Sequence, residues 1–464
     1  MTIELGPLFL GDGCRAPRTV QKDYLNHLRK NWDKFSVFGA NLPPGYGKTY
    51  IGRTIQRQFG KDCMIITVSN QLLDQFIEDY PEVNAVKGME HYKTKKEYQS
   101  AISNATNIPS IANPLSYYYG VVSGRIKKPK YVVIDEAHKL YDTMFLAAYM
   151  DFSVSDLNIP AMETIFDLKE WSEDLKDKCE SRLNQLSRLS DYQQNEFLSI
   201  YEKICLLTEL CGVGGHKITF DFTYAKLNKR VQQVLRITPI SLTKDLFKPF
   251  LGEKTLLMSG TFTKHDLNIY DRYADYYSGE YLTKIENRRI KYKPVAQQQR
   301  KCPVTLANAI LSAYEAEGKP NTVVHVTYDM ATKLAPLLPD AITHTKHTKQ
   351  NAIDRFKLDG GLFLASGCAE GVDLPDDKCR LVIIPVLLYP NLGEEFVRKK
   401  KALPEGVFRY NLDTMMTTVQ QLGRGTRHAT DACFSYVFDP LFSLLYQQTF
   451  THLPNPLNID WTSR

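Results

Sequence analysis

The segment Leu42-Pro-Pro-Gly-Tyr-Gly-Lys-Thr49 lies between two runs of opposite character. Phe35-Ser-Val-Phe-Gly-Ala-Asn41 is short and apolar enough for a strand, and Tyr50-Ile-Gly-Arg-Thr-Ile-Gln-Arg57 suits a helix. Strand, Gly-rich loop and helix follow one another as a phosphate-binding loop requires. Glycines let backbone N–H groups close on phosphate oxygens, a lysine reaches the outer oxygens, and a Ser or Thr hydroxyl ligates a divalent cation. Pro44, Gly45, Tyr46, Gly47, Lys48 and Thr49 are therefore candidate phosphate-site residues, with Thr49 also a metal ligand. Leu42 stands where the basic pattern has glycine, so an ordinary Gly-rich turn is the competing reading.

The chain has 464 residues, too many for a single core, and its length points to two to four domains. With 43% hydrophobic and 24% charged residues it has an ordinary globular composition, neither disordered nor fibrous. A net charge of +6 permits a nucleic-acid partner without arguing for one. Nine cysteines stand singly, with no Cys-x-x-Cys pair, so neither a zinc ribbon nor a disulfide framework is expected. No apolar run approaches the roughly 20 residues that span a bilayer, and Met1-Thr-Ile-Glu-Leu-Gly6 lacks the features of a leader. The expectation is a soluble cytoplasmic protein with no membrane partner.

Alternating short apolar runs and amphipathic segments from Pro17 to about Tyr141 predict α/β units. Arg18-Thr-Val-Gln21 opens a helix, Met64-Ile-Ile-Thr-Val-Ser69 is a strand, and Tyr131-Val-Val-Ile134 is a buried strand ending in Asp135-Glu-Ala-His138. Residues 151–240 lose strand signals and read as a helical insertion. Lys254-Thr-Leu-Leu-Met258 returns to strand and ends in Ser259-Gly-Thr261. Strands are expected again at Asn321–Thr327, Gly361–Ala365, Leu381–Val386 and Phe434–Phe438. The predicted architecture is two α/β blocks: 1–150 completed by 241–267, with 151–240 inserted, and then 268–464.

A phosphate loop needs carboxylates across from it. Asp135 and Glu136 follow a strand, which puts them at the carboxyl edge of a parallel sheet, where ligands of such sheets bind. Asp135 is expected to hold Mg²⁺, and Glu136 to orient and deprotonate the attacking water. A helix-capping acidic pair is the alternative. Gln420-Gln-Leu-Gly-Arg-Gly-Thr-Arg427 offers Arg424 and Arg427, which share a helix face if Leu422–Arg427 is helical, for the charge that develops on a transferred phosphoryl group. Gln420 is placed to touch that group or the water, and salt-bridged surface arginines are the alternative.

Leu-Pro-Pro-Gly-Tyr-Gly-Lys-Thr, Val-Val-Ile-Asp-Glu-Ala-His, Met-Ser-Gly-Thr, Ala-Glu-Gly-Val-Asp-Leu-Pro-Asp-Asp and Gln-Gln-Leu-Gly-Arg-Gly-Thr-Arg occur in this order. The set resembles superfamily 2 helicases. The Asp-Glu-Ala-His box, the insert before Ser-Gly-Thr and Glu370-Gly-Val-Asp373 resemble the XPD/DinG branch in particular, over about Pro17 to Pro440. The resemblance implies two RecA-like parallel-sheet motor domains with an arch-like helical insertion in the first. It implies ATP with Mg²⁺, single-stranded and forked DNA as partner (RNA remaining open), 5′→3′ movement, and a monomer in preference to an oligomer. By position it implies that Gln21, supported by Arg18, reads the adenine edge, and that Asp373 also belongs to the nucleotide site. Ser259, Thr261, Glu370 and Gly371 would couple hydrolysis to movement. Ser69, Asn70, Asn113, Thr327 and Tyr328 would line the nucleic-acid path. The chain's brevity points to a bare motor of phage or mobile-element type, in replication or repair.

One departure concerns iron. XPD/DinG-type enzymes typically carry four cysteines ahead of the Asp-Glu-Ala-His box, whereas residues 64–134 contain none, so no iron–sulfur cluster is expected. Lys87–Tyr119, with Tyr117-Tyr-Tyr119 and then Arg125-Ile-Lys-Lys128, mixes aromatic and basic residues as a strand-separating surface would. Tyrosines packed inside with lysines solvated outside is the equal alternative. Arg288-Arg-Ile-Lys-Tyr-Lys293 and Arg398-Lys-Lys-Lys401 are candidate groove extensions or plain solvated faces. Three functional alternatives stand beside the helicase: another P-loop ATPase or kinase, a decayed motor that only binds, and a remodeller that does not unwind processively.

Overall fold

The computed structural model describes residues 17–461 except 44, 69, 184, 186–188, 213–216, 228, 229, 272, 283, 369–373, 375, 403–405 and 427–429. Contacts divide the chain into one unit of Met1–Ala40, Lys48–Ser259 and Lys264–Tyr277 and another of Asn41–Gly47, Gly260–Thr263 and Ser278–Arg464. Strands in chain order are β1 Val37–Asn41, β2 Cys63–Thr67, β3 Asn84–Val86, β4 Ser110–Ala112, β5 Tyr131–Asp135, β6 Met150–Ser153, β7 Lys217–Leu227 and β8 Arg230–Ser241, then β9 Lys254–Ser259 and β10 Asp275–Ser278. They continue with β11 Arg289–Tyr292, β12 Thr322–His325, β13 Leu362–Ala365, β14 Leu381–Ile384, β15 Phe434–Val437 and β16 Asn458–Asp460.

The first unit is built on a sheet of order β10-β1-β9-β5-β2-β4-β3. The β2–β5 and β5–β9 pairs are parallel and set Thr67, Asp135 and Met258 in one row, with Glu136 and Ser259 just beyond or at the strand ends. The register alone therefore collects the polar residues at one edge. The strands are buried: Ile65, Val132, Val133, Ile134 and Leu257 are all nearly inaccessible. That is why these segments read as continuous apolar runs and not as alternating ones.

The inserted region contains two long helices, Ile165–Leu183 and Asp191–Cys211. The second opens with a capping box in which Ser190 and Gln193 satisfy each other's backbone N–H groups. The pair closes around Cys179, Tyr201 and Cys205. After them the chain is extended: β6, β8 and β7 form an antiparallel sheet. The helical expectation for 151–240 thus holds for its middle only. Ile218, Phe220, Phe222 and Tyr224 alternate with Thr219, Asp221 and Thr223, a period of two that marks a strand.

The second unit carries a sheet of order β13-β12-β14-β15-β11-β16, whose pairs are parallel. One face packs Val323, Phe363 and Val382 against the helices Lys349–Asp359, Gly406–Leu422 and Phe442–Thr449. The other packs Val324, Leu364 and Ile383 against Pro303–Ala316 and Tyr328–Leu334. The basic run Arg288–Lys293 includes β11 of this sheet, and several of its charges have partners. Ile290 of β11 is buried, Lys291 pairs with Glu317 at 2.5 Å, Arg289 pairs with Asp460 at 2.5 Å, and Arg288 lies over the Tyr281 ring at 3.7 Å. Arg398–Lys401 is the end of the helix Glu395–Lys401, with Lys399 and Lys400 tied to Glu395 and Asp413.

The tyrosine run belongs to the core. Tyr117 and Tyr118 are 0% exposed and Tyr119 is 8% exposed, on the helix Pro114–Val122, with Tyr118 ring-to-ring against Phe250 at 5.9 Å. The Tyr118 hydroxyl has no hydrogen-bond partner among the described residues. Tyr118→Phe is expected to leave stability unchanged or raise it, because it removes a buried unpaired hydroxyl. Tyr118→Ala is expected to cost about 3–5 kcal/mol, as aromatic truncations in cores do. Urea midpoints of both variants check this, and an unaltered midpoint for Tyr118→Ala contradicts it.

His325, at the end of β12, is 1% exposed and neither ring nitrogen finds a partner among the described residues. Burial, and after it the charge of Arg424, pushes its pKa down to about 3. The folded chain therefore keeps this imidazole neutral while the unfolded chain protonates it near pH 6.5. Stability is full above about pH 6.5 and is lost as the pH falls toward about 3, at about 1.4 kcal/mol per pH unit for one proton. His325→Leu is expected to flatten this acid limb. Urea midpoints of both proteins between pH 7 and pH 4 measure the difference, and parallel curves contradict it.

Candidate nucleotide and nucleic-acid site

The loop between β1 and the helix Lys48–Phe59 turns at Gly45 (φ 87°) and Gly47 (φ 75°), left-handed conformations that glycine adopts without strain. Tyr46 N donates to Pro43 O at 3.2 Å. Lys48 is the first residue of a 12-residue helix, whose free N–H groups and dipole favour an anion. Its Nζ lies 3.5 Å from Glu136 Oε1. Thr49 is exposed beside it. An open cleft is lined by Lys48, Thr49, Thr67, Gln75 and Asp135 among others.

Glu136 is the unusual residue of this edge. Its backbone is left-handed, φ 53° and ψ 41°, which costs a non-glycine residue about 1–2 kcal/mol. Its carboxylate accepts from Ser259 Oγ at 3.1 Å, and Asp135 Oδ1 accepts from the Glu136 N–H at 3.0 Å. His138 Nδ1 lies 2.7 Å from Ser259 Oγ and 3.4 Å from Glu136 Oε2. Since the serine's one proton goes to Glu136, His138 Nδ1 is the donor to Ser259.

Two adjacent carboxyls cannot both ionise freely in such a place. Burial and then the Glu136 charge push Asp135 up, against Lys48. Burial also works on Glu136, but Lys48, His138 and the Ser259 hydrogen bond outweigh it and hold Glu136 well below the usual carboxylate range. Asp135 is thus a carboxylate short of positive charge at the strand end, which suits a divalent cation shared with Thr49. Glu136 is a firm acceptor but a weak proton acceptor in this state. Its geometry suits orienting a water more than deprotonating it.

Other expected residues fall in three places. Gln21 is buried, and its Oε1 caps the first helix by accepting from the Arg18 N–H at 2.9 Å. Asn70 and Asn113, at the ends of neighbouring strand segments, are brought together: Asn113 Nδ2 donates to Asn70 Oδ1 at 3.2 Å. Asn70 Nδ2 also meets His91 Nε2 at 2.8 Å. In the second unit Thr327 caps the helix Tyr328–Leu334 by accepting from Met330 N, and Tyr328 packs edge-on against His344 at 5.5 Å.

Gln420 Nε2 donates to Thr261 Oγ1 at 3.2 Å. The helix carrying Gln420 stops at Leu422, so Arg424 does not lie on it as expected. The reason is the glycine pair: a Cβ on Gly425 would stand 2.3 Å from Cys433 Sγ and 2.6 Å from Cys379 O, so the chain must turn closely there. Arg424 is 9% exposed. Pro44, Ser69, Glu370, Gly371, Asp373 and Arg427 lie outside the described residues.

Sequence reasoning gave no role to His138 or His91. His138 was visible in the Asp-Glu-Ala-His run, but only folding brings Ser259, 121 positions on, between it and Glu136. His91 had no local signal, being joined to Asn70 across loops. Among the described residues no group of three or more His, Cys, Asp or Glu side chains is arranged to hold a metal, so any cation here would rest on the Asp135–Thr49 pair and on the phosphates. No described helix is long and apolar enough to cross a membrane.

Residues 15–167 match the family described as the res subunit of type III restriction enzymes, and residues 322–455 match the helicase C-terminal domain family. No curated protein is detectably similar in sequence. Among solved structures the chain resembles an XPD protein in apo form, at 16% identity and TM-score 0.54, covering 96% of this chain and 100% of that one. It resembles Xpd4 of S. tokodaii at 16% identity and TM-score 0.55, with the same coverage. A DEAD-box helicase, Mss116 bound to ssRNA and UDP-BeF, follows at 13% identity and TM-score 0.50, with 96% and 74% covered. At such identities the structural likeness speaks for the fold, two RecA-like α/β modules. The two family matches add that the chain carries a helicase C-terminal domain after a segment like the res subunit of type III restriction enzymes.

Proposed function

We propose that the chain is an ATP-driven motor that moves along single-stranded DNA, 5′→3′, and opens duplex or forked DNA. The observation that carries this reading is the Lys48–Glu136–Ser259–His138 network under a glycine loop with two left-handed turns. ATP would take Lys48 and the N–H groups at the start of its helix, with Arg18 and Gln21 toward the base. Mg²⁺ would be held by Thr49 and Asp135, and it supplies charge neutralisation on the phosphates when bound. A γ-phosphate competes with Glu136 for Lys48. As Lys48 turns to the phosphate, Glu136 loses its main cationic restraint, becomes a better proton acceptor, and stays oriented by Ser259.

Gln420 and Arg424, with Arg427, are the residues of the second module assigned to the γ-phosphate. Ser259 and Thr261, with Glu370 and Gly371, are assigned to coupling, and Asp373 to the nucleotide site. Asn70, Asn113, Thr327 and Tyr328, with Ser69, are assigned to the nucleic acid. The domain reading stays as two motors, 1–150 with 241–267 and 268–464, with 151–240 inserted in the first. No iron–sulfur cluster is included, because thiolates hold such clusters and residues 64–134 have none.

ATP hydrolysis is expected to rise on adding single-stranded DNA. Glu136→Gln should lower kcat about 10²–10⁴-fold with little change in KM, while Lys48→Ala should impair both. Steady-state ATPase assays with DNA, with RNA and with neither test the reading, together with unwinding of DNA and RNA forks labelled at either end. Stimulation by RNA alone would replace DNA as the substrate, and hydrolysis indifferent to both would sink the motor.

A further inference from the structure

The sheet formed by β6, β8 and β7 is uneven. β6 pairs only with Val234–Ile237 of β8, whereas β7 and β8 stay paired out to Leu227 opposite Arg230. Beyond Thr223 and Val234 the chain is therefore a two-stranded ribbon. Its root is fixed: Asp151 of β6 takes Arg236 of β8 through two hydrogen bonds of 2.8 Å, and the Arg236 guanidinium lies over the Tyr149 ring at 5.6 Å.

Residues directly opposite in an antiparallel pair share a face, and alternate residues along a strand do too. One face accordingly runs from Ile237 and Leu235, opposite Phe220 and Phe222, outward to Gln233 and Val231, opposite Tyr224 and Lys226. At the root this face is core, with Leu235 and Ile237 at 0% exposure. Further out the same face is bare: Tyr224 is 74% exposed and Val231 73%. Lys226 and Gln233 are exposed on this face, and Arg230, paired with Leu227 on the other face, is exposed at the outer end of the ribbon. Residues 222–235 contain three basic residues and no acidic one. Neither Lys226 nor Arg230 has an ion-pair partner among the described residues.

An aromatic ring and an aliphatic side chain kept uncovered on a stiff ribbon, amid positive charge without a single carboxylate, match a polyanion with flat apolar faces. We propose that the outer half of the β7–β8 ribbon is a nucleic-acid contact, with Tyr224 stacking on a base that the opening of a duplex exposes and Lys226 and Arg230 meeting backbone phosphates. This rests on the motor reading above for its role in opening, though the contact itself is a matter of binding. One of the two sequence readings of Lys87–Tyr119 with Arg125–Lys128 placed such a surface there; Tyr117–Tyr119 are buried, as the other reading has it.

The test uses the full chain and a fluorescent forked DNA, read by anisotropy for affinity and by strand release with ATP for unwinding. Tyr224→Ala is expected to weaken fork binding about tenfold, in the range of one lost base stack, and to cut strand release at least as much. Tyr224→Phe is expected to restore both. Lys226→Ala with Arg230→Ala is expected to lower the slope of log affinity against log salt by about 0.9 for each lost phosphate. All positions are exposed, so circular dichroism and urea midpoints of the variants should match the parent.

Parental fork affinity and salt slope in Tyr224→Ala and in the double variant overturn the inference. So does a parent chain that does not bind the fork. So does a ribbon whose variants only dissolve a dimer in sedimentation, which would make it an interface between copies. A parent that binds the fork through the ribbon but never hydrolyses ATP leaves this contact standing and removes the motor reading instead.

Discussion

The left-handed backbone at Glu136 is the constraint on which the edge of the first sheet depends. A glutamate takes that conformation at a cost of about 1–2 kcal/mol, so its surroundings must hold it there. They come from three elements: Lys48 from the helix after β1, Ser259 from the end of β9, and Asp135 from β5 itself. The parallel register that sets Thr67, Asp135 and Met258 in a row makes the meeting possible. A shift of one residue in β9 would carry Ser259 to the other face of the sheet. The strain and the register therefore support one another, which is how strained backbone persists at sites of chemistry.

The same arrangement divides the labour between neighbouring carboxyls. Environments that push two pKa values apart assign the groups to different tasks. Burial and the Glu136 charge outweigh Lys48 at Asp135, whereas Lys48, His138 and Ser259 outweigh burial at Glu136. A triphosphate would reverse the balance by drawing Lys48 away and bringing a cation to Asp135.

Much of this was legible because it is written locally. β1, β5, β9, β12, β13, β14 and β15 are short, mostly apolar runs, as expected of a parallel sheet covered on both faces. The loop glycines and the Asp135-Glu136 step stand next to the strands that position them. What failed to show was decided at long range. Arg288–Lys293 looks like a solvated patch until Glu317 and Asp460 close on its charges. Gly423 and Gly425 mark the helix stop in Leu422–Arg427, but the close approach of Gly425 to Cys379 and Cys433 is set at long range. For Tyr117–Tyr119 the residues alone leave surface and core equally open, and contacts with Phe250 and its neighbours decide for the core.

The β7–β8 ribbon was missed for the opposite reason: its pattern is a plain strand alternation, but Asn228-Lys229 lacks the Asn-Gly or Asp-Gly turn that marks a hairpin. A two-stranded ribbon has no layer to bury its outer face and is marginal in water by itself. Exposed Tyr224 and Val231 therefore gain nothing for the fold beyond the root, where Leu235 and Ile237 already do the burying. Pairing of the ribbon edge with another copy would bring like charges together and is disfavoured for that reason. A negatively charged partner removes the repulsion and covers the ring at once, so the composition that makes the ribbon poor at self-association is the one that suits it to nucleic acid.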